Sequence, residues 1–231
     1  MRKIGLIGGM SWVSTETYYR LINKEVQKRA GSLCSGPMVI ESLNFCDLAQ
    51  VTTPEGWDHA AEKLTAAARS LEEAGATAIL ICANSMHKVY DRVQGAVSVP
   101  IIHIADCVGE KMQADGIKRA ALIGTRNVML ESFYRQRLIR HGISLLAPQM
   151  ERVEEIDRII YDELMEGRIV RESERTMKTF LTNIAKEDVE AVVLGCTELE
   201  MIIDTKANVL PIYDGTEIHA HAAVDWIMGE G

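Results

Sequence analysis

Five cysteines, at positions 34, 46, 82, 107 and 196 of the 231-residue chain, are the side chains whose chemistry has to be placed first. Their number is odd and no pair has C-x-x-C spacing, so we expect neither a disulfide framework nor a dithiol redox centre, but reduced thiols in a cytoplasmic protein. Cys196 has the most telling setting. The apolar run Ala191–Leu194 precedes it and Thr197-Glu198 follow. That pattern puts the thiol at a strand end opening onto a loop or helix start, where backbone amides and a positive helix end favour a thiolate. The competing reading is a small buried apolar residue, the fate of most free cysteines. A second segment, Cys82-Ala83-Asn84-Ser85, ends the apolar run that starts at Ala78. The hydroxyls of Ser85 and Thr197 suit a carboxylate or a helix cap. The amide of Asn84 suits an ammonium, a carboxylate or an Asx turn.

The elements that must carry these residues follow from the pattern. Short apolar runs alternate with longer helical stretches, the mark of a parallel α/β architecture. Strands are expected at 3–7, 38–43, 78–82, 100–104, 119–123, 144–146, 191–194 and 210–213. The clearest amphipathic helix runs from Asp58 to Ala74, with Ala61, Leu64, Ala68 and Leu71 on one face and Gly75 as its stop. The chain also repeats itself. Residues 2–8 line up with 118–124, and Tyr18 meets Tyr134 at the same offset. Residues 78–85 line up with 191–198, which makes Ala83 the counterpart of Cys196, and Val99–Ile102 line up with Leu210–Tyr213. Three matches in one order imply two pseudo-symmetric α/β lobes, each with a mainly parallel sheet flanked by helices, facing each other across a cleft. We expect one lobe from residues 1–98 with a C-terminal helix at 214–231, and the other from 99–213. Ligands of such sheets collect at the carboxyl ends of the strands. This selects Gly8-Gly9-Met10-Ser11, Cys82–Ser85, Gly124-Thr125-Arg126-Asn127 and Gly195-Cys196-Thr197-Glu198.

Composition narrows the field. A net charge of −8, with no run of Lys or Arg, argues against nucleic acid and against an anionic membrane surface. No apolar stretch approaches the roughly 18 residues of a membrane span, and Gly8-Gly9 breaks the N-terminal one too early for a signal peptide. The glycines after the first strand do not form G-x-G-x-x-G, and there is no G-x-x-x-x-G-K-[ST] loop, so NAD, FAD and ATP are disfavoured. His87, His103, His219 and His221 lack zinc spacing. His219 and His221, two apart on a helix, are expected at the surface, and no metal or cofactor is expected.

The loops selected above carry a resemblance. Ile4–Trp12, Asn84-Ser85-Met86-His87-Lys88, His103–Asp106, Ala120–Thr125 and Gly195-Cys196-Thr197-Glu198 are together similar to the aspartate/glutamate racemase family, over almost the whole chain and closest to its bacterial acidic-amino-acid branch. The resemblance implies two pseudo-symmetric lobes, often dimeric, so that a homodimer is expected. It implies a cofactor-independent active site in which two thiols serve opposite faces of an amino acid. One thiol takes the α-proton and the other returns a proton to the far face; a thiol pKa near 8.5 suits both tasks. Cys196 matches the second thiol. Where the family has a cysteine or a hydroxyl residue in the first loop, this chain has Ala83, natural or engineered, and alanine transfers no proton. Neighbouring Cys82 should point to the other side of its strand and be buried. The resemblance places the substrate against Met10, Ser11, Thr52, Asn84, Ser85, Thr125, Thr197 and Glu198. No Lys or Arg occurs between Arg29 and Lys63, where some relatives hold the distal carboxylate with arginine. Thr52, Thr53, backbone amides or a basic residue elsewhere, such as Arg126 or Arg168, must then take that part. The expected function is racemisation of aspartate or glutamate. The alternatives are a single-cysteine decarboxylase or isomerase on the same fold, and a non-catalytic amino-acid-binding protein.

Overall fold

Each apolar run of the first half becomes a strand of one parallel sheet in the computed structural model, which describes residues 1–49 and 51–230. The chain divides into two compact units, Met1–His103 with His219–Gly231, and Ile104–Ile218. Gly231, the end of the expected C-terminal segment, lies outside the described residues.

The first unit contains β1 (Ile4–Gly8), α1 (Trp12–Ala30), β2 (Met38–Ser42), α2 (Pro54–Glu73), β3 (Ala78–Ile81), α3 (Tyr90–Gln94) and β4 (Ile101–Ile102). The second contains α4 (Ile104–Ala114), β5 (Arg119–Gly124), α5 (Arg126–Leu130), α6 (Ser132–Arg140), β6 (Ser144–Leu145), α7 (Met150–Asp162), α8 (Arg171–Ile184), β7 (Ala191–Gly195) and β8 (Ile212–Asp214). The start of α9 (Gly215–Met228) lies in the second unit and its remainder in the first.

The two sheets have four strands each, in the orders β2-β1-β3-β4 and β6-β5-β7-β8. All pairs are parallel, and the register repeats between units. Ile4 pairs with Ala78 as Ala120 pairs with Ala191, and Ile79 with Ile101 as Val192 with Ile212. These are the offsets of the sequence repeat. Tyr18 and Tyr134 also correspond, both fully buried on the helices α1 and α6.

Strands buried on both faces read as continuous apolar runs, and the faces divide by alternation. In β3 and its extension, Ile79, Ile81 and Ala83 pack into the cluster with α2, whereas Ala78, Leu80 and Cys82 pack into the cluster with α1 and α9. In β7, Val192, Leu194 and Cys196 pack with α7 and α8, and Ala191 and Val193 turn to the opposite cluster. Period-two geometry thus gives Ala83 and Cys196 equivalent places in their units.

Element boundaries differ in instructive ways. The expected helix from Asp58 starts instead at Pro54, because Thr53 accepts the Gly56 N–H as N-cap and a proline suits the first turn. Gly75, with φ +84°, ends it as expected. The expected strand at 100–104 shrinks to two paired residues, since Ile104 already begins α4.

Candidate active site

The turn after β1 is shaped by backbone crowding. A Cβ on Gly9 (φ +84°) would sit 2.0 Å from the Leu43 carbonyl oxygen, so only glycine fits. The Gly9 N–H donates to Thr15 Oγ1 at 2.7 Å, and Ser11 Oγ caps α1 by accepting the Ser14 N–H at 3.2 Å. Met10 is buried in the α2-side cluster. Ser11 therefore has a structural task in addition to any ligand contact. Thr52 is exposed, one residue before the Thr53 cap.

Beyond β3, Ala83 is 8% exposed, and Asn84 is buried with an Oδ1 that has no hydrogen-bond partner. An unpaired buried amide oxygen costs about 1–3 kcal/mol, a cost that a donating ligand removes. Ser85 opens a 3-10 turn, Ser85–Val89, in which no side chain caps the first amides. His87 Nδ1 lies 3.0 Å from the Ala83 carbonyl oxygen; a carbonyl only accepts, so Nδ1 carries the proton. The His87 ring meets those of His103 at 4.5 Å and His219 at 5.7 Å between centroids. His219 donates from Nε2 to the Ile102 carbonyl at 2.9 Å and accepts the Tyr18 hydroxyl on Nδ1 at 2.8 Å. Burial pushes its pKa down to about 4. The expectation of a surface His219 is corrected: two residues apart on α9 means one side in and one side out, and only His221 is half-exposed.

Cys82 is fully buried, as alternation requires, and burial pushes its thiol far up. It packs on the sheet face opposite to Ala83.

The second unit builds the counterpart loop. A Cβ on Gly195 would lie 2.7 Å from Val128 Cγ1, so glycine lets β7 close against α5 just before the thiol. Cys196 is 6% exposed, with Sγ 3.1 Å from Glu198 Oε2, to which it donates. Burial first, then the Glu198 carboxylate, holds the thiol well above its ordinary range, so at rest it keeps its proton. Five residues of 3-10 turn, Thr197–Met201, follow without a side-chain cap. The expected helix starts are thus short turns on both loops, and the hydroxyls of Ser85 and Thr197 do not cap them. Thr197 Oγ1 instead accepts from Thr216 Oγ1 at 3.1 Å. Thr125, at the end of β5, buries an Oγ1 with no partner. Arg126 faces Glu154 at 3.6 Å, and Arg168 is held by Glu166 at 2.8 Å, so both cations are engaged by their own unit. Among the described residues no group of three or more His, Cys, Asp or Glu side chains is arranged to hold a metal.

A protonated thiol paired with a carboxylate at the end of β7 is a group able to give or take a proton. Residues 7–223 match the family model for Asp/Glu/hydantoin racemases. The chain belongs to that family. Among solved structures, a Yersinia pestis protein assigned as an Asp/Glu racemase is 38% identical with a TM-score of 0.90, covering 99% of this chain and 100% of that one. An aspartate racemase homologue from Pyrococcus horikoshii is 34% identical with a TM-score of 0.85, at the same coverage. A broad specificity amino-acid racemase of Bacillus subtilis is 20% identical over 222 residues, 96% of each chain.

For this family member, sequence reasoning missed Asp214. It ends β8, in register with Leu194, and its Oδ1 accepts the Thr216 and Glu217 N–H groups at 2.8 and 3.3 Å. Burial raises its pKa. The strand-end rule would have found it had it been applied to the last strand of the repeat as well.

Proposed function

We propose that this chain moves the α-proton of an acidic amino acid, aspartate or glutamate, without a cofactor, using Cys196 as acid/base. The observation that carries the proposal is the Cys196–Glu198 pair, 3.1 Å apart and buried at the end of β7. At rest the protonated thiol is set to deliver a proton. To take one, it passes its own proton to Glu198 Oε2, and the thiolate accepts the hydrogen from Cα while the electron pair remains on the substrate. Return runs the same steps backwards, so protons and charge balance. Thr125 and Thr197, in the same unit as Cys196, are the proposed binding groups on this side, and donors that steady the substrate carboxylate lower the barrier as charge develops.

Ala83 stands where a two-base racemase needs its other acid/base. This favours a second reading, a single-thiol decarboxylase or isomerase in which Cys196 protonates a carbanion on one face only. Proton exchange into L- and D-aspartate and L- and D-glutamate in heavy water separates the readings. Exchange with inversion supports the racemase, and exchange from one enantiomer alone supports one-sided proton transfer. No exchange with any of the four overturns the proposal.

A further inference from the structure

The edge strand of a sheet is open to pairing unless something covers or blunts it. Three of the four edges here are short or capped. β6 has two residues, and Arg135 donates to the Leu145 and Leu146 carbonyls at 3.2 and 3.3 Å. β4 also has two, and its Ile102 carbonyl takes the His219 Nε2–H at 2.9 Å. β8 has three. β2, at the edge of the first unit's sheet, has five, Met38–Ser42. The Pro37 carbonyl and the Leu43 N–H bond to β1, so the backbone groups of Met38, Ile40 and Ser42 point away from β1. Among the described residues nothing hydrogen-bonds to these outward groups. The side chains of Met38 and Ile40 share the face of the sheet that α1 covers, and Ile40 is 37% exposed. On α1 itself Trp12 is 72% and Tyr19 51% exposed. Two turns apart, they lie on one side of the helix with Asn23. That side faces the segment leading into β2: Asn23 Oδ1 accepts the Gly36 N–H at 3.0 Å, and Asn23 Nδ2 donates to the Tyr19 carbonyl at 2.9 Å. An aromatic stripe therefore runs beside the open edge.

We propose that β2 pairs antiparallel with β2 of a second copy of this chain, about a two-fold axis through Ile40, and that α1 packs against α1 of that copy. Two independent counts give the same axis. With the axis at Ile40, every outward N–H and C=O of β2 finds a partner: Ile40 pairs with Ile40 of the second copy, and Met38 with its Ser42. The other count runs along α1. Ile40 lies about 13 Å of strand beyond Gly36, a rise that about nine residues of helix span. Counted back from Asn23, the axis crosses the antiparallel α1 at about residue 14, close to the midpoint of Trp12 and Tyr19. Trp12 of each copy then meets Tyr19 of the other. Glu16 and Arg20, on the same stretch of helix, pair with each other at 3.7 Å, so no single sign of charge collects at the axis. A strand of another protein would satisfy the edge alone, whereas a second copy also brings the aromatic stripe into register with itself. The proposal gives the expected homodimer a surface and does not rest on the acid/base reading.

The test is sedimentation equilibrium of the full-length protein across the micromolar range, for the parent, Ile40→Lys and Tyr19→Glu. Ile139→Lys, at an exposed apolar position of the second unit, is the control. The parent should be a dimer. Lysine at position 40 sets two ammonium groups face to face at the axis, and glutamate at position 19 sets a carboxylate against the Trp12 ring of the other copy. The first should raise the dimer dissociation constant at least about a hundredfold and the second at least about tenfold, while the control stays within a few-fold of the parent. A monomeric parent overturns the proposal and leaves the edge to a different partner. A dimer that either folded variant leaves intact overturns it too, because the contact then lies elsewhere. Circular dichroism shows whether each variant is folded. Should one fail to fold, Ile40→Cys decides. A residue on the axis faces its own copy, so a short bismaleimide should link the Ile40→Cys chains in pairs well above the parent's background. Leu33→Cys, fully exposed on the same unit, should not be linked in this way. Equal linking of the two cysteine variants overturns the proposal.

Discussion

His219 refuses a proton that the unfolded chain accepts, and that difference should be measurable as acid sensitivity. Its pKa is about 4 in the folded protein against an ordinary 6.5, chiefly because of burial. Between these values the unfolded state binds more protons, so stability is complete above pH 6.5 and declines as the pH falls towards 4. Going from pH 7 to pH 5 this one group should cost about 2 kcal/mol, a sizeable part of the roughly 5–15 kcal/mol that holds a domain. The carboxylates of Glu25, Glu72, Asp115 and Glu190 are held below their usual range by hydrogen bonds, so their contribution is present above the unfolded carboxylate pKa and disappears at lower pH than this window. His219→Gln isolates the effect. Glutamine can accept from the Tyr18 hydroxyl and donate to the Ile102 carbonyl, but it does not titrate. Urea unfolding of parent and variant at pH 7 and pH 5 gives four stabilities, and the loss between the two pH values should be about 2 kcal/mol smaller in the variant. An equal loss in both proteins would show that His219 is not held neutral and that the packing account of the His87, His103 and His219 rings is wrong.

Three further outcomes follow from the same geometry. Glu198→Gln should lower α-proton exchange by about 10²–10⁴-fold, although removing the carboxylate makes the Cys196 thiolate easier to form, because the proton acceptor is gone; stopped-flow or NMR exchange rates check this. Ala83→Cys should speed inversion by a similar factor, about 3–5 kcal/mol of barrier, while changing exchange on the Cys196 face much less, as chiral chromatography from each pure enantiomer will show. Cys82→Ser should leave exchange within a few-fold of the parent yet destabilise the fold by about 1–3 kcal/mol, since it puts a hydroxyl into the apolar cluster with α1 and α9; thermal unfolding reads the second effect.

The repeat was legible because strands buried on both faces leave little choice of residue. The runs at 4–7, 78–81, 120–123 and 191–194 are apolar for the same packing reason, and alternation then separates Cys82 from Ala83 without any coordinates. The loops after β3 and β7 were located correctly, but their form was not. Ser85 and Thr197 look like helix caps by residue type, whereas tertiary contacts shape 3-10 turns there and Thr197 turns to Thr216. Spacing showed that His219 and His221 face opposite ways without showing which of them is inside.

The central claim is that Cys196 carries the proton. Its most direct test is the rate of deuterium incorporation at Cα of aspartate and glutamate in heavy water, for the parent and for Cys196→Ser. Serine keeps nearly the same shape beside Glu198, but its hydroxyl is a far weaker acid than the thiol. The account predicts a loss of at least about 10²-fold with an unchanged circular dichroism spectrum. Exchange in the folded variant at close to the parent rate would contradict it.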